Sequence, residues 1–318
     1  MGYDAWLYIN KKNHSLKSIE ELIVLLGYER TRFGFYYGND LEYKYNTGVS
    51  ICEIKKPNDN NYVFHVRAQI WASSYDIELL NRTLRMLKKY CNASFISDNG
   101  KNRYFTEGIK TKGAENGCYL AATKLEKNFT YLLHSLSKYP EDTAAEKAMI
   151  DYGLVSPCVF NANVYSSYLC ALIEDYFRAT YIALLKYSDR KTIILSNCKL
   201  SAYDLIDINS GNKSLEEAYS RTLSFQNIQA IVRNFKDLDP KLDVGAPLKR
   251  PYHKRKENLY EQINRIFERR HRMVHHIDLD SNYNNQVLAR DINDIKTAIK
   301  RVYLYLCDKY EWSHQEIL

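Results

Sequence analysis

Between Arg269 and His276 the sequence RRHRMVHH gathers three arginines and three histidines in eight residues. Arginine keeps its proton and can grip a phosphate through two parallel hydrogen bonds. Histidine is the side chain that gains and loses a proton near neutral pH. Together they suffice for RNA cleavage, because the nucleophile there is the substrate's own 2′-hydroxyl and no water or metal has to be activated. Arg270 and His275 are the candidate pair, with His271 between them. Two other readings of these residues stay open. His271 and His275 are four apart and share a helix face, as the two metal ligands do in the zinc-peptidase pattern HExxH. Here the second residue is Arg272, and a cation in place of the glutamate repels a metal. Histidines at a helix C-terminus are also favoured by the helix dipole without any chemistry.

The helix that must carry these groups is visible in the spacing of Leu259, Ile263, Ile266, Phe267, Met273 and Val274, which predicts a buried stripe. Arg270 falls within it. A buried arginine without a partner is costly, so Arg270 must reach a carboxylate on a neighbouring helix or line a cleft. Glu174 is a candidate carboxylate. It lies one turn from Arg178 in the apolar helix ALIEDYFRATYIALL, where the two read equally well as a structural ion pair. In a straight helix Arg270 and His275 project ~140° apart. They converge only if the arginine stem bends round, the helix ends near His275, or a second subunit completes the site.

Charge is concentrated around the same segment. Of a net +7, the 24 residues Lys249 to Arg272 hold nine bases against three acids. Such a focus recruits a polyanion. The loop residues Lys249, Arg250, Tyr252, Lys254, Arg255 and Lys256 are read as an RNA-guiding flap, with cations for phosphates and an aromatic for stacking. Arg269 and Arg272 extend it. A solvated basic loop is the competing reading.

Residues 1–110 show strand, helix, strands, helix and strand in turn. That pattern predicts an α+β domain, an antiparallel-rich sheet with two helices. The strand NYVFHVRAQIW alternates, and Asn99-Gly100 marks a hairpin. From 111 to 318 the pattern is helical throughout, which predicts an all-α bundle: a stripe from Tyr119 to Leu136, a long helix over 164–187, a shorter segment over 202–208, then helices over 214–235, about 259–276 and 287–310. The chain of 318 residues fits two domains. Its seven cysteines are scattered and form no CxxC pair, which points to a reducing compartment and no cysteine metal site. No apolar run reaches the ~18 residues needed to span a bilayer. The N-terminus lacks the pattern of a signal peptide. A cytoplasmic location is the expectation.

The C-terminal half resembles the HEPN superfamily of prokaryotic defence and toxin ribonucleases. The family motif is Arg, a polar residue, three further residues and His. It reads here Arg270-His271-Arg272-Met273-Val274-His275. LCALIEDYFRATYIALL is similar to the family's first long helix, TLSFQNIQAIVRNFKDLD to the helix before its substrate loop, and RIFERRHRMVHHIDLD to the RiboL-PSP version. The resemblance covers roughly residues 160–310 and does not extend to the N-terminal domain. It implies a HEPN-like bundle, metal- and cofactor-independent endoribonuclease activity and a homodimer or higher homo-oligomer whose motifs share a cleft. In those terms Arg270 would hold the scissile phosphate, His275 would be general base or acid, and His271 would orient them or touch the phosphate. Glu174 is carried over as a polar residue near the motif. An antitoxin or partner defence protein would fit such a system. One toxin subclass has Tyr two residues after the histidine, where this chain has Ile277. A non-catalytic HEPN module that binds RNA, nucleotide or a partner protein is the alternative.

Overall fold

The computed structural model describes residues 2–38, 45–55, 60–108, 110, 113–137, 144, 148–149, 151–152, 155–196, 198–253 and 255–313. The chain divides into two compact units, Met1–Lys112 and Gly113–Leu318. Among the described residues no helix is long and apolar enough to cross a membrane.

The first unit is an α+β domain. Its strands are β1 (Tyr3–Asn10), β2 (Glu29–Thr31), β3 (Gly34–Tyr37), β4 (Val49–Ile54), β5 (Asn61–Ala68), β6 (Ser94–Ser97) and β7 (Gly100–Lys101). They form one antiparallel sheet in the order β2-β3-β4-β5-β1-β6-β7. Helices α1 (Leu16–Leu25) and α2 (Ser74–Cys91) lie on it. The period-2 alternation of β1 and β5 explains the pairing: Ala5, Leu7 and Ile9 face the same core as Phe64, Val66 and Ala68, with Leu7 opposite Phe64. Ile19, Ile23, Leu80, Leu84 and Leu87 cover that face. The expected hairpin is present as β6 and β7. The turn read at Gly38-Asn39-Asp40 lies largely outside the described residues.

Asp76 ties this domain together. It is fully buried and closes a capping box with Ser73 at the start of α2. Its two oxygens also accept from the backbone N–H groups of Asn46 (3.0 Å), Thr47 (3.2 Å) and Gly48 (2.8 Å). One carboxylate therefore caps a helix and pins the turn before β4.

The second unit is all-α. It contains α3 (Gly113–Ser137), α4 (Pro157–Lys186), α5 (Lys191–Ser196), α6 (Ala202–Asn209), α7 (Leu215–Ser220), α8 (Ile228–Leu238), α9 (Leu259–His276) and α10 (Asn285–Tyr310). The 30-residue α4 is the spine and packs against α3, α9 and α10. Ile173, Phe177, Phe235, Ile263, Ile266, Ile292 and Ile295 meet in one core.

Three sequence expectations are corrected. Helix α4 begins at Pro157, not near Val164: Ser156 caps it, accepting from Cys158 N–H at 3.2 Å, and proline suits the first helical position. The single helix expected over 214–235 is two, α7 and α8. Asn227 starts α8 by accepting from Ala230 N–H at 2.7 Å, and Asn234 donates to Ser224 C=O at 2.7 Å across the break. Such side chains offer the backbone an alternative to continuing a helix. The buried stripe of α9 also ends earlier than the pattern suggests, with Met273 half-buried and Val274 exposed.

Removing a buried carboxylate strands several N–H donors, and each hydrogen bond to a charged group contributes ~1.5–3 kcal/mol. Asp76→Ala is expected to destabilise the N-terminal domain by about 3 kcal/mol or more, read as a lower urea midpoint for the transition that reports on it.

Candidate functional site

The motif helix is defined at both ends. At its start Asn258 and Glu261 form a capping box. At its end Ile277 takes the left-handed conformation (φ 55°) and donates its N–H to Met273 C=O at 3.1 Å. This is the simple left-handed cap normally built with glycine or asparagine. A β-branched residue there is strained, and this one is 85% exposed.

The rotation of α9 is set by Arg269, not Arg270. Arg269 is 6% exposed. Its Nη1 lies 3.1 Å from Asp291 Oδ2 and its Nε 3.3 Å from Asp280 Oδ2. The guanidinium sits over the Tyr283 ring, 3.7 Å from its centroid. Tyr283 Oη donates to the same Asp291 oxygen at 2.8 Å. Gln262, two turns back on this face, donates to Asp291 (3.1 Å) and Asp294 (2.7 Å) of α10. On the other side Asn163 of α4 clasps the chain just past the helix. Its amide gives to Asp280 C=O and takes from Asp280 N–H, both at 3.0 Å. The sequence pattern places Arg269 among the RNA contacts, and the structure does not. Its burial between two carboxylates leaves it no face for a phosphate.

With Arg269 inward, the next residues face outward. Arg270, His271, Arg272 and His275 line one open pocket of about 490 Å³, with Phe267 at its base and Gln226 and Asn227 on the opposite wall. The His271 and His275 rings are 4.6 Å apart, centroid to centroid. Arg270 and His275 therefore border a single cavity although they leave the helix in different directions. Arg270 also meets the carboxylate that the sequence nominated: Nη1 lies 3.7 Å from Glu174 Oε1. That is an ion-pair distance, too long for a hydrogen bond. Glu174 Oε1 and Arg178 Nε are buried without hydrogen-bond partners. Burial pushes the Glu174 carboxyl above its ordinary range, and the nearby Arg270 and Arg178 only partly oppose this. Arg178 instead packs its guanidinium 5.3 Å from the Phe225 ring centroid. Among the described residues no ion pair joins Glu174 to Arg178, so the carboxylate faces the motif.

The basic loop is docked rather than a free flap. Leu242, Val244, Leu248 and Tyr252 are buried. Arg301 of α10 donates to the carbonyls of Pro247 (3.4 Å), Arg250 (3.1 Å) and Pro251 (3.0 Å). Tyr252, expected to stack on a base, is 6% exposed, with its hydroxyl on Asp294 at 2.8 Å. Arg255 pairs with the same carboxylate at 2.7 Å. Lys249, Arg250, Lys256 and Arg272 stay exposed, and Lys254 lies outside the described residues. Lys256 borders a shallow groove of about 650 Å³ along α9, which shares Asn264 and Glu268 with the Arg/His pocket. Those two residues and the positioning set Asn163, Gln262, Asp280, Tyr283 and Asp291 were missed in the sequence. One signal was available: Asn264, Glu268, His271 and His275 are spaced 4, 3 and 4, one face of a helix. Among the described residues no three His, Cys, Asp or Glu side chains are grouped to hold a metal ion.

Because the folded protein raises the Glu174 pKa, it binds that proton more tightly than the unfolded chain does. The contribution is fully present below the unfolded pKa and is lost as pH rises through the folded one. Urea titrations across acidic to neutral pH should therefore show native protein losing more stability with rising pH than Glu174→Gln. Replacing Ile277 by Asn, which tolerates the left-handed region, should stabilise the unit by ~1 kcal/mol. No family model matches this chain, nor does any curated protein or solved structure.

Proposed function

We propose that the pocket on α9 is the active site of a metal-independent endoribonuclease, as the HEPN resemblance implies. The observation that supports it best is the meeting of Arg270, His271 and His275 at one cavity, with a desolvated carboxylate behind the arginine. In this reading a phosphodiester lies against Arg270. One imidazole, His275 or its neighbour His271, takes the 2′-hydroxyl proton. The 2′ oxygen attacks phosphorus, the bond to the 5′ oxygen breaks, and a protonated imidazole donates to that leaving oxygen. The products are a 2′,3′-cyclic phosphate and a 5′-hydroxyl. Glu174 positions Arg270 without neutralising it through a hydrogen bond, which leaves guanidinium N–H groups for the phosphate. Among the described residues of the expected RNA-contact set, Lys249, Arg250, Lys256 and Arg272 are the exposed cations left to steer RNA; Arg255 has about half its surface covered and is shared with Asp294. The open cavity would be completed by a second copy of the chain, with Val274 and Ile277 at the exposed helix end available to that contact. The defence or toxin setting, and any antitoxin, belong to the same proposal.

Incubation of the purified protein with single-stranded RNA and a chelator should give fragments with cyclic-phosphate and 5′-hydroxyl ends by mass spectrometry. A general acid–base residue contributes roughly 10²–10⁴-fold, so His275→Ala should slow cleavage at least 100-fold. Unchanged rates in that variant would sink the proposal. Binding without any cut ends, weakened in Arg270→Ala, would instead identify a non-catalytic module.

A further inference from the structure

We propose that the groove next to the Arg/His pocket selects guanine, with Glu268 as the specificity-determining residue. The inference rests on the reading of that pocket as an RNA site. It starts from the four residues Asn264, Glu268, His271 and His275, which fall within an arc of ~60° on α9. Asn264 and Glu268 border both the pocket and the groove, so a base beside a phosphate held at Arg270 can reach them.

Their hydrogen bonds fix what they can offer. Glu268 can only accept, and it takes Asn264 Nδ2–H at 2.6 Å. Asn264 must therefore turn its oxygen to Gln229, which donates from Nε2 at 3.2 Å. On the opposite wall Asn227 spends its oxygen on Ala230 N–H at 2.7 Å, which turns its NH₂ away from the helix. What remains unspent is a carboxylate with three open lone-pair positions and a set of amide N–H donors. The arginines nearest to Glu268 on the helix do not claim it: Arg265 pairs with Glu257 at 3.2 Å and Arg272 lies 4.0 Å from Asp278.

A carboxylate presents two acceptors side by side. Among the four bases only guanine presents two donors side by side, N1–H and the 2-amino group, with O6 next to them to receive an amide N–H. Uracil flanks its one donor with oxygens that a carboxylate repels. Adenine and cytosine place a ring nitrogen acceptor beside their amino group. Unpaired bases are read on these edges. An exposed carboxylate in a groove that must admit phosphates is otherwise a net repulsion.

The test uses the full chain and short single-stranded RNAs that carry one guanosine, one inosine or neither in a uridine background. Cut ends should concentrate at the guanosine. Inosine lacks the 2-amino group and should reduce that cleavage, and Glu268→Gln should erase the preference. A bidentate base contact discriminates by roughly 10-fold to 100-fold. Cleavage indifferent to guanosine, or a preference that survives Glu268→Gln, overturns the inference and leaves the ribonuclease reading standing. If nothing is cut, fluorescence anisotropy with the same RNAs decides: guanosine-dependent binding lost in Glu268→Gln supports base selection and ends the ribonuclease reading, whereas base-indifferent binding or none overturns base selection.

Discussion

The rotation of α9 about its own axis is the constraint on which the pocket depends, and one buried guanidinium sets it. Arg269 cannot shed its proton, so its burial is tolerated only because Asp291, Asp280 and the face of Tyr283 receive it together. Asp291 is itself fully engaged by Arg269, Tyr283 and Gln262. Each partner compensates the others, and removing one partner of such a set leaves an uncompensated buried charge worth about 3–5 kcal/mol. A register slip of one residue would turn the helix by ~100°. Arg270 would then enter the carboxylates, and His271 would take its place in the cavity. The network acts as a key for helix rotation, which is the best-attested use of buried polar groups.

A second constraint acts along the axis. The helix has to stop where His275 still borders the cavity, and the chain past it has to turn back so that Asp280 can reach Arg269. The Asn163 clasp on the Asp280 backbone holds that return. Ile277 supplies the turn at some conformational cost. Strain of this kind persists only where the surroundings over-determine it, and it concentrates at functional positions. Here the surroundings are the Arg269 network on one side of the turn and the clasp on the other.

The elements were legible in the sequence where a single periodicity governed them. The alternation in β5 and the stripe of α3 read correctly, because each buries one face against one core. Two features hid the rest. A helix can end on a side-chain hydrogen bond, as at Asn227, which periodicity does not record. A helix can also bury two faces against different neighbours. Helix α9 turns an apolar stripe toward α4 and a polar stripe, Gln262 and Arg269, toward α10. The apolar stripe passes through Arg270, and the buried arginine is the one beside it. Asp291 and Asp294, one turn apart beside Leu288, Ile292 and Ile295, carried the missing information, since two carboxylates on a buried helix face require cations opposite.

The same pairing alters what the charge cluster does. The segment from Lys249 to Arg272 carries a large excess of base in the linear sequence, but much of it is answered from outside the segment. Asp294 receives Arg255, Asp280 and Asp291 receive Arg269, and Glu174 faces Arg270. Surface charge is therefore sparser than the sequence suggests, and a bound polyanion would release few counterions. Long-range attraction would then contribute less to holding such a ligand than local complementarity. The Arg270–Glu174 pair fits that balance. At 3.7 Å without a hydrogen bond, it orients the guanidinium while leaving its donors unspent, and the burial that lifts the carboxyl's pKa also lowers the local dielectric. A few well-placed donors that grip an anion directly contribute more than many cations acting through water.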